Sequence, residues 1–487
     1  MQRLSDLLYR VPLLEVVGRP DAPVADFQFD SRKVGEGMLY IAQRGTQADG
    51  HRFIPDAILA GASVIVCEQM PDVMDPAVTY VRVKDSALSL AHLAANFYGN
   101  PAEKLKIIGV TGTNGKTTVA SLLYQLFRKL DYRVGLVSTV SVLIDDLTLP
   151  ATHTTPDPKS LHLYFRNMVQ SGCTHCFMEV SSHALHQQRV AGIPFAGALF
   201  TNLTHDHLDY HGTFEAYRDA KKLLFDMLPG SAFALTNLDD RNGNFMLQNT
   251  AAKKLTYSLR QLANYRARVV EQRLDGMLLM MDGTEVWVRL VGEYNAYNLL
   301  LVYAAARELG LDPQETLLEL STLAPVRGRM ELVPLPGQVM GIVDYAHTPD
   351  ALRNIILTLQ DLRPVEGRLI IVVGCGGNRD AAKRPEMGKI ASEAADVALF
   401  TSDNPRYEDP DTILHQMVQG VPAAYRKRVT CITNRREALQ IAARLAQPHD
   451  VILVAGKGHE TYQEIEGVKH PFDDREELQR AFNQLHS

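Results

Sequence analysis

Ile107-Ile108-Gly109-Val110-Thr111-Gly112-Thr113-Asn114-Gly115-Lys116-Thr117-Thr118 is a β-branched run that empties into a glycine-broken turn carrying Lys and Thr. Strand, glycine turn and helix start, in that order, cradle the phosphates of a nucleoside triphosphate. The glycines let backbone N–H groups approach the phosphates, and the helix N-terminus adds positive potential. Lys116 neutralises the β/γ oxygens and Thr117 holds Mg²⁺. The spacing is a variant of the strict phosphate loop, with Val110 where a glycine would stand between Gly109 and Gly112. The helical run Val119–Leu130 follows in the right place, so ATP binding anchors the reading.

Around this anchor the bulk numbers are those of a globular chain. Its 487 residues are too many for one ordinary core, so two to four domains are expected. Fifty Lys and Arg stand against 56 Asp and Glu, with no basic block, which argues against a nucleic-acid partner. The start, Met1-Gln2-Arg3-Leu4-Ser5-Asp6-Leu7-Leu8, has no continuous apolar stretch, and no run reaches the ~18 apolar residues of a membrane span, so no membrane insertion is expected. Five scattered cysteines fit a reduced cytoplasm better than a disulfide framework. Cys173-Thr-His-Cys176 has redox spacing but runs into an apolar strand, and no second pair completes a zinc site.

Short strands and helices alternate throughout, the pattern of α/β domains with largely parallel sheets. The first segment holds strand candidates Gly37–Ala42, Ser63–Cys67 and Thr79–Val83. A helical run, Leu88–Tyr98, ends in the breaker Gly99-Asn100-Pro101. Beyond the phosphate loop, Arg133–Val137, Cys176–Val180, Ala196–Thr201 and Ala232–Thr236 read as strands ending in polar residues. A second break falls at Ala324-Pro-Val-Arg-Gly328, followed by strand candidates Leu369–Val373, Asp396–Phe400 and Val451–Val454. The expectation is three domains, 1–86, 87–327 and 328–487: the central one a P-loop-type mononucleotide-binding sheet, the last a Rossmann-like sheet.

Glu179 closes a strand ahead of Val180-Ser-Ser-His183, and the next strand runs into Asn202-Leu-Thr-His-Asp-His-Leu-Asp-Tyr-His211. In a parallel sheet both stretches emerge beside the phosphate loop, where a carboxylate and an imidazole complete a divalent-ion shell around triphosphate. His205-x-His207-x-Asp209-x-His211 also raises a zinc hydrolase, although Tyr210 stands where that pattern needs His. Gly374-x-Gly376-Gly377-x-Arg379 raises a dehydrogenase, but Arg379 occupies a position that a dinucleotide fingerprint keeps small. An Arg at that rim suits an anionic substrate better.

Six blocks in order resemble the Mur ligases, the ATP-dependent amino-acid-adding enzymes of peptidoglycan synthesis, over essentially the whole chain. They are Thr111–Thr118, Glu179–His183, Asn202–His207, Gly292-Glu-Tyr-Asn-Ala-Tyr-Asn298, Gly328-Arg-Met-Glu331 and Asp344-Tyr-Ala-His-Thr-Pro-Asp350. Asp403-Asn-Pro-Arg406 is similar to the signature of members that add meso-diaminopimelate; lysine-adding members lack the final Arg. The resemblance implies an N-terminal domain for the UDP end, a central ATPase and a C-terminal domain for the incoming amino acid. The substrates it implies are UDP-N-acetylmuramoyl-L-alanyl-D-glutamate and meso-diaminopimelate, and the role is in cell-wall building, hence in cell shape and division. Ser31, with Thr46, Gln47 and Ala48, would contact the UDP-sugar. Thr154, Thr155, Ser181, Gln187 and Arg189 would hold the muramoyl dipeptide, with His153 beside them. Gly112, Thr113, Asn114, Gly115, Lys116, Thr117 and Thr118 would bind ATP with Asn298, Arg329 and Asp344. Arg379, Gly456 and Glu460 would join Asp403, Asn404, Pro405 and Arg406 around diaminopimelate. Thr117, Glu179, His207 and Lys221 would surround Mg²⁺, with Lys116, Lys221 and His207 as the catalytic set. Lys221 matches the family lysine that CO₂ carbamylates, which turns a repelling ammonium into two anionic oxygens. Lys222 reads as a solvated surface lysine.

The reaction so implied passes the γ-phosphoryl of ATP to the D-glutamate side-chain carboxylate, and the diaminopimelate amine then displaces phosphate. Two further readings stand beside it, a superfamily ligase adding lysine or a glutamate tail and a non-catalytic ATP switch.

Overall fold

The computed structural model describes residues 1–45 and 48–485. Its three main sheets have five, eleven and six strands. In the first, Phe27–Gln28, Leu39–Ile41, Val64–Cys67 and Thr79–Val83 run parallel, and Leu13–Val17 adds an antiparallel edge. Leu90, Leu93 and Ala94 of the helix Ser86–Phe97 pack in one cluster with Leu4, Leu7, Val64 and Val66. That helix, which the sequence reading assigns to the second segment, is therefore packed onto the first sheet.

Lys106–Thr111 lies near the middle of the eleven-stranded sheet, flanked by His175–Glu179 and Phe195–Phe200, both parallel to it. The β-branched and aromatic runs of these strands are continuous because both faces are covered. Helices Lys116–Lys129 and Glu293–Glu308 pack on one face, Pro158–Gln170 and Phe214–Asp226 on the other. Parallel pairing sets Glu179 against Val110 and Phe200 against Thr111, so all three strands end at the same rim. Added strands at both edges extend the sheet beyond what periodicity reveals: the antiparallel Ser141–Ile144 and Leu147–Pro150 on one side, and on the other Tyr265–Arg273, parallel to Lys253–Ser258, with Gly276–Met281 and Thr284–Val288 antiparallel beyond it.

In the third sheet Met340–Asp344, Val451–Ala455, Leu369–Val373, Val397–Thr401 and Val429–Ile432 are parallel neighbours in that order, with Glu331–Pro334 antiparallel at one edge. Its carboxyl rim faces the rim of the central sheet. Arg329 donates to Thr117 Oγ1 at 3.1 Å, and His205 Nε2 lies 3.5 Å from Asp380 Oδ2. On the other side Lys159 ties the central domain to the first, donating to both oxygens of Asp26 at 2.8 Å and to Phe27 O at 2.7 Å.

Candidate active site

The phosphate loop takes its shape from two glycines that nothing larger can replace. Gly112 has φ +147°, and a Cβ there would lie 1.9 Å from Thr201 Oγ1. Gly115, at φ +88°, would bring a Cβ to 2.6 Å from Asn298 Oδ1. Asn202 braces the turn from the next strand end: its carbonyl accepts from Thr113 N at 2.8 Å and its Oδ1 from Asn114 N at 3.0 Å. No side chain caps the helix Lys116–Lys129, so the N–H groups of its first turn face the cleft without intrahelical acceptors. Lys116 Nζ donates to the carbonyls of Gly112 at 3.0 Å and Thr113 at 2.9 Å. Burial pulls its pKa down, against the pull of Glu179 and Asp206.

Beside the loop a cavity of ≈ 800 Å³ is walled by Thr118, Tyr257, Tyr297, Asn298, Arg329 and Asp344. Asn298 is held by Nδ2 donating to Asn295 Oδ1 at 3.1 Å. Asp344 accepts from Met330 N at 2.6 Å and Ala346 N at 2.7 Å, which fixes the left-handed Met330 and the direction of Arg329. Arg329 stacks 4.5 Å from the Tyr345 ring, and its buried Nε has no partner among the described residues. An orphaned guanidinium N–H beside a cavity is a vacancy for an anion or carbonyl.

A second cleft of ≈ 350 Å³ lies where the two rims meet, reaching Lys116, Thr117, Glu179 and His207 on one side and Arg379, Asp403 and Arg406 on the other. Glu179 is buried, and its Oε1 accepts from Thr139 N at 2.7 Å, leaving Oε2 for a cation. His207 takes a left-handed conformation, φ 55°, with Nε2 3.4 Å from Asp206 Oδ2 and its ring 4.8 Å from that of His183. Burial keeps this imidazole neutral. Lys221 lies behind the loop rather than in the cleft, fully buried, Nζ donating to Gly112 O at 2.7 Å. Burial and the neighbouring Lys116 drive its pKa well down. Lys222 is not the solvated control that the sequence suggests: it too is buried, paired with Asp226 and donating to Gln248 O at 2.6 Å.

On the dipeptide side, Thr154 accepts from Thr139 Oγ1 at 3.0 Å, and Thr155 Oγ1 donates to Glu179 O at 2.9 Å. Ser181 caps its helix by accepting from Ala184 N at 3.2 Å. Arg189 donates to Thr155 O at 2.8 Å and through Nε to Gln187 Oε1 at 3.0 Å, so Gln187 stands behind Arg189, outside the cleft lining. His153 does line it. Ser31, in the 3₁₀ turn Ser31–Lys33, and exposed Ala48 sit on the first domain, away from the cleft. Thr46 and Gln47 lie outside the described residues.

On the C-terminal rim Arg406, φ 53°, donates Nη1 to Gly377 O at 2.8 Å, and its Nε is 3.3 Å from Glu464 Oε2. Asn404 receives Lys457 Nζ at 3.0 Å and donates to Glu460 Oε2 at 2.7 Å. Burial and Asp403 push the Glu460 carboxyl up. Gly456 has φ +114°, and a Cβ there would stand 2.5 Å from Asp403 Oδ2. Pro405 lends the loop its backbone, accepting from Glu408 N at 3.0 Å. Beneath these loops a fully buried pair, Arg435 and Asp474, is joined by two hydrogen bonds of 2.7 Å, and Arg435 also donates to Ala455 O at 3.1 Å.

The rival motifs dissolve. His205 faces Asp380, His207 faces Asp206 and His211 bonds Ser182 Oγ at 3.0 Å, and no three His, Cys, Asp or Glu side chains converge on a metal position among the described residues. Gly374 and Gly377 are small because Thr401 O and Pro405 O press on them, at 2.3 and 1.9 Å from a would-be Cβ, so the loop serves its neighbour rather than a pyrophosphate. Cys173 and Cys176 are free and buried. Sequence reasoning assigned no role to Asp206, His183, His347, Asp350, Lys383 or Lys457, which also border the two cavities or hold their walls. The blocks containing His347 and Asp350 carried the signal.

Three family profiles match: the Mur ligase family, catalytic domain, over residues 26–98, the Mur ligase middle domain over 110–306, and the Mur ligase, glutamate ligase domain, over 328–458. The chain is 53% identical over 474 residues, 97% of each chain, to the UDP-N-acetylmuramoyl-L-alanyl-D-glutamate--2,6-diaminopimelate ligase of Cytophaga hutchinsonii. It is 51% identical, over 99% of each, to the protein of that name from Parabacteroides distasonis. A solved structure of a ligase of the same name is 34% identical and covers 100% of both chains with a TM-score of 0.70. The MurF ligase of Thermotoga maritima, solved in complex with ADP, shares the fold at 21% identity and a TM-score of 0.62, over 95% of this chain and 98% of its own.

Proposed function

The chain belongs to the Mur ligase family, and on that premise we propose that it is the ATP-dependent ligase that joins meso-2,6-diaminopimelate to the D-glutamate of UDP-N-acetylmuramoyl-L-alanyl-D-glutamate. The observation that carries this reading is the cleft that brings Lys116 and Glu179 of one domain opposite Arg379, Asp403 and Arg406 of another. A phosphate-handling rim facing a carboxylate-handling rim is what acyl-phosphate chemistry with a dicarboxylic amino acid requires.

ATP enters the ≈ 800 Å³ cavity with its phosphates on the loop, Gly112 to Thr118, and its remainder among Asn298, Arg329 and Asp344. The dipeptide lies along Thr154, Thr155, Ser181 and Arg189, with Gln187 orienting Arg189. Its UDP end reaches Ser31 and Ala48 on the first domain, with Thr46 and Gln47 just before Ala48 in sequence. Lys116 holds the β/γ oxygens while the glutamyl carboxylate takes the γ-phosphoryl. The diaminopimelate amine then attacks the acyl carbon and phosphate leaves.

Thr117, the free oxygen of Glu179 and His207 offer mostly oxygen donors at the cleft, a set that suits Mg²⁺. Bound there, the ion would offset charge on the transferring phosphoryl group. Lys221, behind the loop, suits carbamylation: burial favours the neutral amine, the form that attacks CO₂. We further infer domain limits near Gly99 and Gly328, since the helix Ser86–Phe97 packs with the first core. No helix among the described residues is long and apolar enough to cross a membrane, and free cysteines suit a reducing cytoplasm. The test is phosphate release that requires both UDP-muramoyl dipeptide and diaminopimelate. Release with either omitted, or with lysine as well as diaminopimelate, overturns the assignment.

A further inference from the structure

Lys383 opens the helix Lys383–Ala394 on the C-terminal rim and borders the same cleft as Lys116. Its ammonium has no hydrogen bond or ion pair with any described residue. Its charge is nonetheless felt across the cleft, where, after burial, it does most to keep His347 neutral. The backbone that carries it is fixed on both flanks. Arg384, fully buried, donates to Glu408 at 2.8 Å, Gln416 at 2.7 Å and Gly376 O at 3.1 Å. Ala382 N donates to Asp380 Oδ1 at 2.9 Å, while Asp380 Oδ2 faces His205 of the central domain. A rigid base thus presents a cation toward a cleft lined by Lys116, Arg329 and Arg379 and by the carboxylates of Glu179, Asp206, Asp403 and Glu460. None of those carboxylates forms an ion pair with Lys383, so its charge is left for an anionic ligand.

We propose that Lys383 is a further catalytic residue, carried in by the C-terminal domain to bind the non-bridging oxygens of the phosphoryl group in flight and of the acyl phosphate that results. The inference rests on the ligase reading above. In the first step a glutamyl carboxylate oxygen bonds to Pγ as the bond from Pγ to the bridging oxygen breaks and ADP departs. In the second the amine nitrogen bonds to the acyl carbon, the C–O bond breaks, phosphate leaves with the electron pair, and the amine proton passes to phosphate or solvent. Lys383 stays protonated throughout and supplies charge alone. Lys116 grips the group from the central domain and Lys383 from the other, so phosphoryl transfer waits on closure and ATP is not hydrolysed in the open form.

The test uses the full chain with Lys383→Met and Lys383→Arg. Steady-state constants for all three substrates are measured, and acyl phosphate is trapped as its hydroxamate in single turnovers without diaminopimelate. Lys383→Met should lower kcat about 10²-fold, as removal of one transition-state donor does. KM for ATP and diaminopimelate should stay within about threefold, and trapped hydroxamate should fall in proportion to kcat. Lys383→Arg should recover about tenfold or more of the loss, which also shows that the position tolerates substitution. A kcat for Lys383→Met within about threefold of wild type overturns the inference. So does a loss confined to KM for diaminopimelate with normal hydroxamate, which makes Lys383 an amino-acid contact or a latch. Wild type without two-substrate phosphate release would instead overturn the ligase reading itself.

Discussion

Asn114 of the phosphate loop donates its side-chain N–H to Asp350 Oδ2 at 3.0 Å, joining the loop to the first turn of the helix Pro349–Leu362 in the C-terminal domain. With the bond from Arg329 to Thr117, it closes one domain on the other through groups that border the two cavities. Hydrogen bonds to a charged partner contribute about 1.5–3 kcal/mol net. Asp350→Ala should therefore shift the balance toward the open form by about tenfold or more. Small-angle scattering of the nucleotide-free protein should show a larger radius of gyration, and an unchanged radius would mean that the bond does not govern closure.

Lys116→Ala should reduce turnover by about 10²-fold or more while leaving the fold in place. The side chain caps only two loop carbonyls, so the melting temperature should move by a few degrees at most. Near-normal turnover at saturating ATP would reject the phosphate-loop assignment.

Lys221→Ala should be nearly inactive, and added bicarbonate should not restore it because no amine remains to carry a carbamate. Short carboxylic acids should recover part of the activity by filling the vacated space beside Gly112. The modification is best sought in an electron-density map, since acid strips carbamates before mass analysis. An unmodified amine still bonded to Gly112 O in a complex with nucleotide and Mg²⁺ would rule it out.

Arg406→Ala should lower kcat/KM for diaminopimelate by about 30-fold to several thousand-fold, the usual range for truncating one partner of a desolvated charge pair. Its guanidinium is already steered by Gly377 O and Glu464, so little ordering remains to be done on binding. Lysine should not become a good substrate, because deleting a carboxylate receptor does not build a site for its absence. Both amino acids assayed with both proteins decide the matter.

His162 is buried on the helix Pro158–Gln170 with both ring nitrogens unpartnered among the described residues, and burial lowers its pKa to about 4. The unfolded chain protonates near 6.5, so falling pH favours unfolding from about 6.5 until the folded form also protonates near 4, a loss of roughly 3 kcal/mol. His162→Phe should flatten that segment of the stability profile in urea titrations at successive pH values. An identical slope in the variant would count against it.

Much of the arrangement is legible in the sequence because the parallel strands are buried on both faces. Their apolar runs end abruptly in polar clusters, and Glu179, Asn202, Asp403 and Gly456 could be placed on rims from that alone. What could not be read depends on partners distant in sequence. Nothing local to Lys222 announces Gln248, and nothing near Asp350 announces Asn114. The helix Ser86–Phe97 reads with the second segment because a breaker follows it and none precedes it, whereas its packing partners include Leu4 and Leu7. The antiparallel strands Tyr265–Arg273 and Gly276–Met281 were missed because charged residues interrupt the first and methionines fill the second.

The buried pair of Arg435 and Asp474 sets an order in time. Every residue assigned to the amino-acid rim, up to Glu460, leaves the ribosome before Asp474 does. Until that carboxylate is made, Arg435 beneath Ala455 has no counter-ion, and a guanidinium cannot be buried without one. During synthesis the central sheet can finish folding, phosphate loop included, on its own strands. The half that chooses the amino acid must wait for the helix Asp474–Leu485, and Arg329 and Asp344 wait with it, so a nascent chain would hold a formed phosphate loop before it could close over ATP or recognise what to ligate.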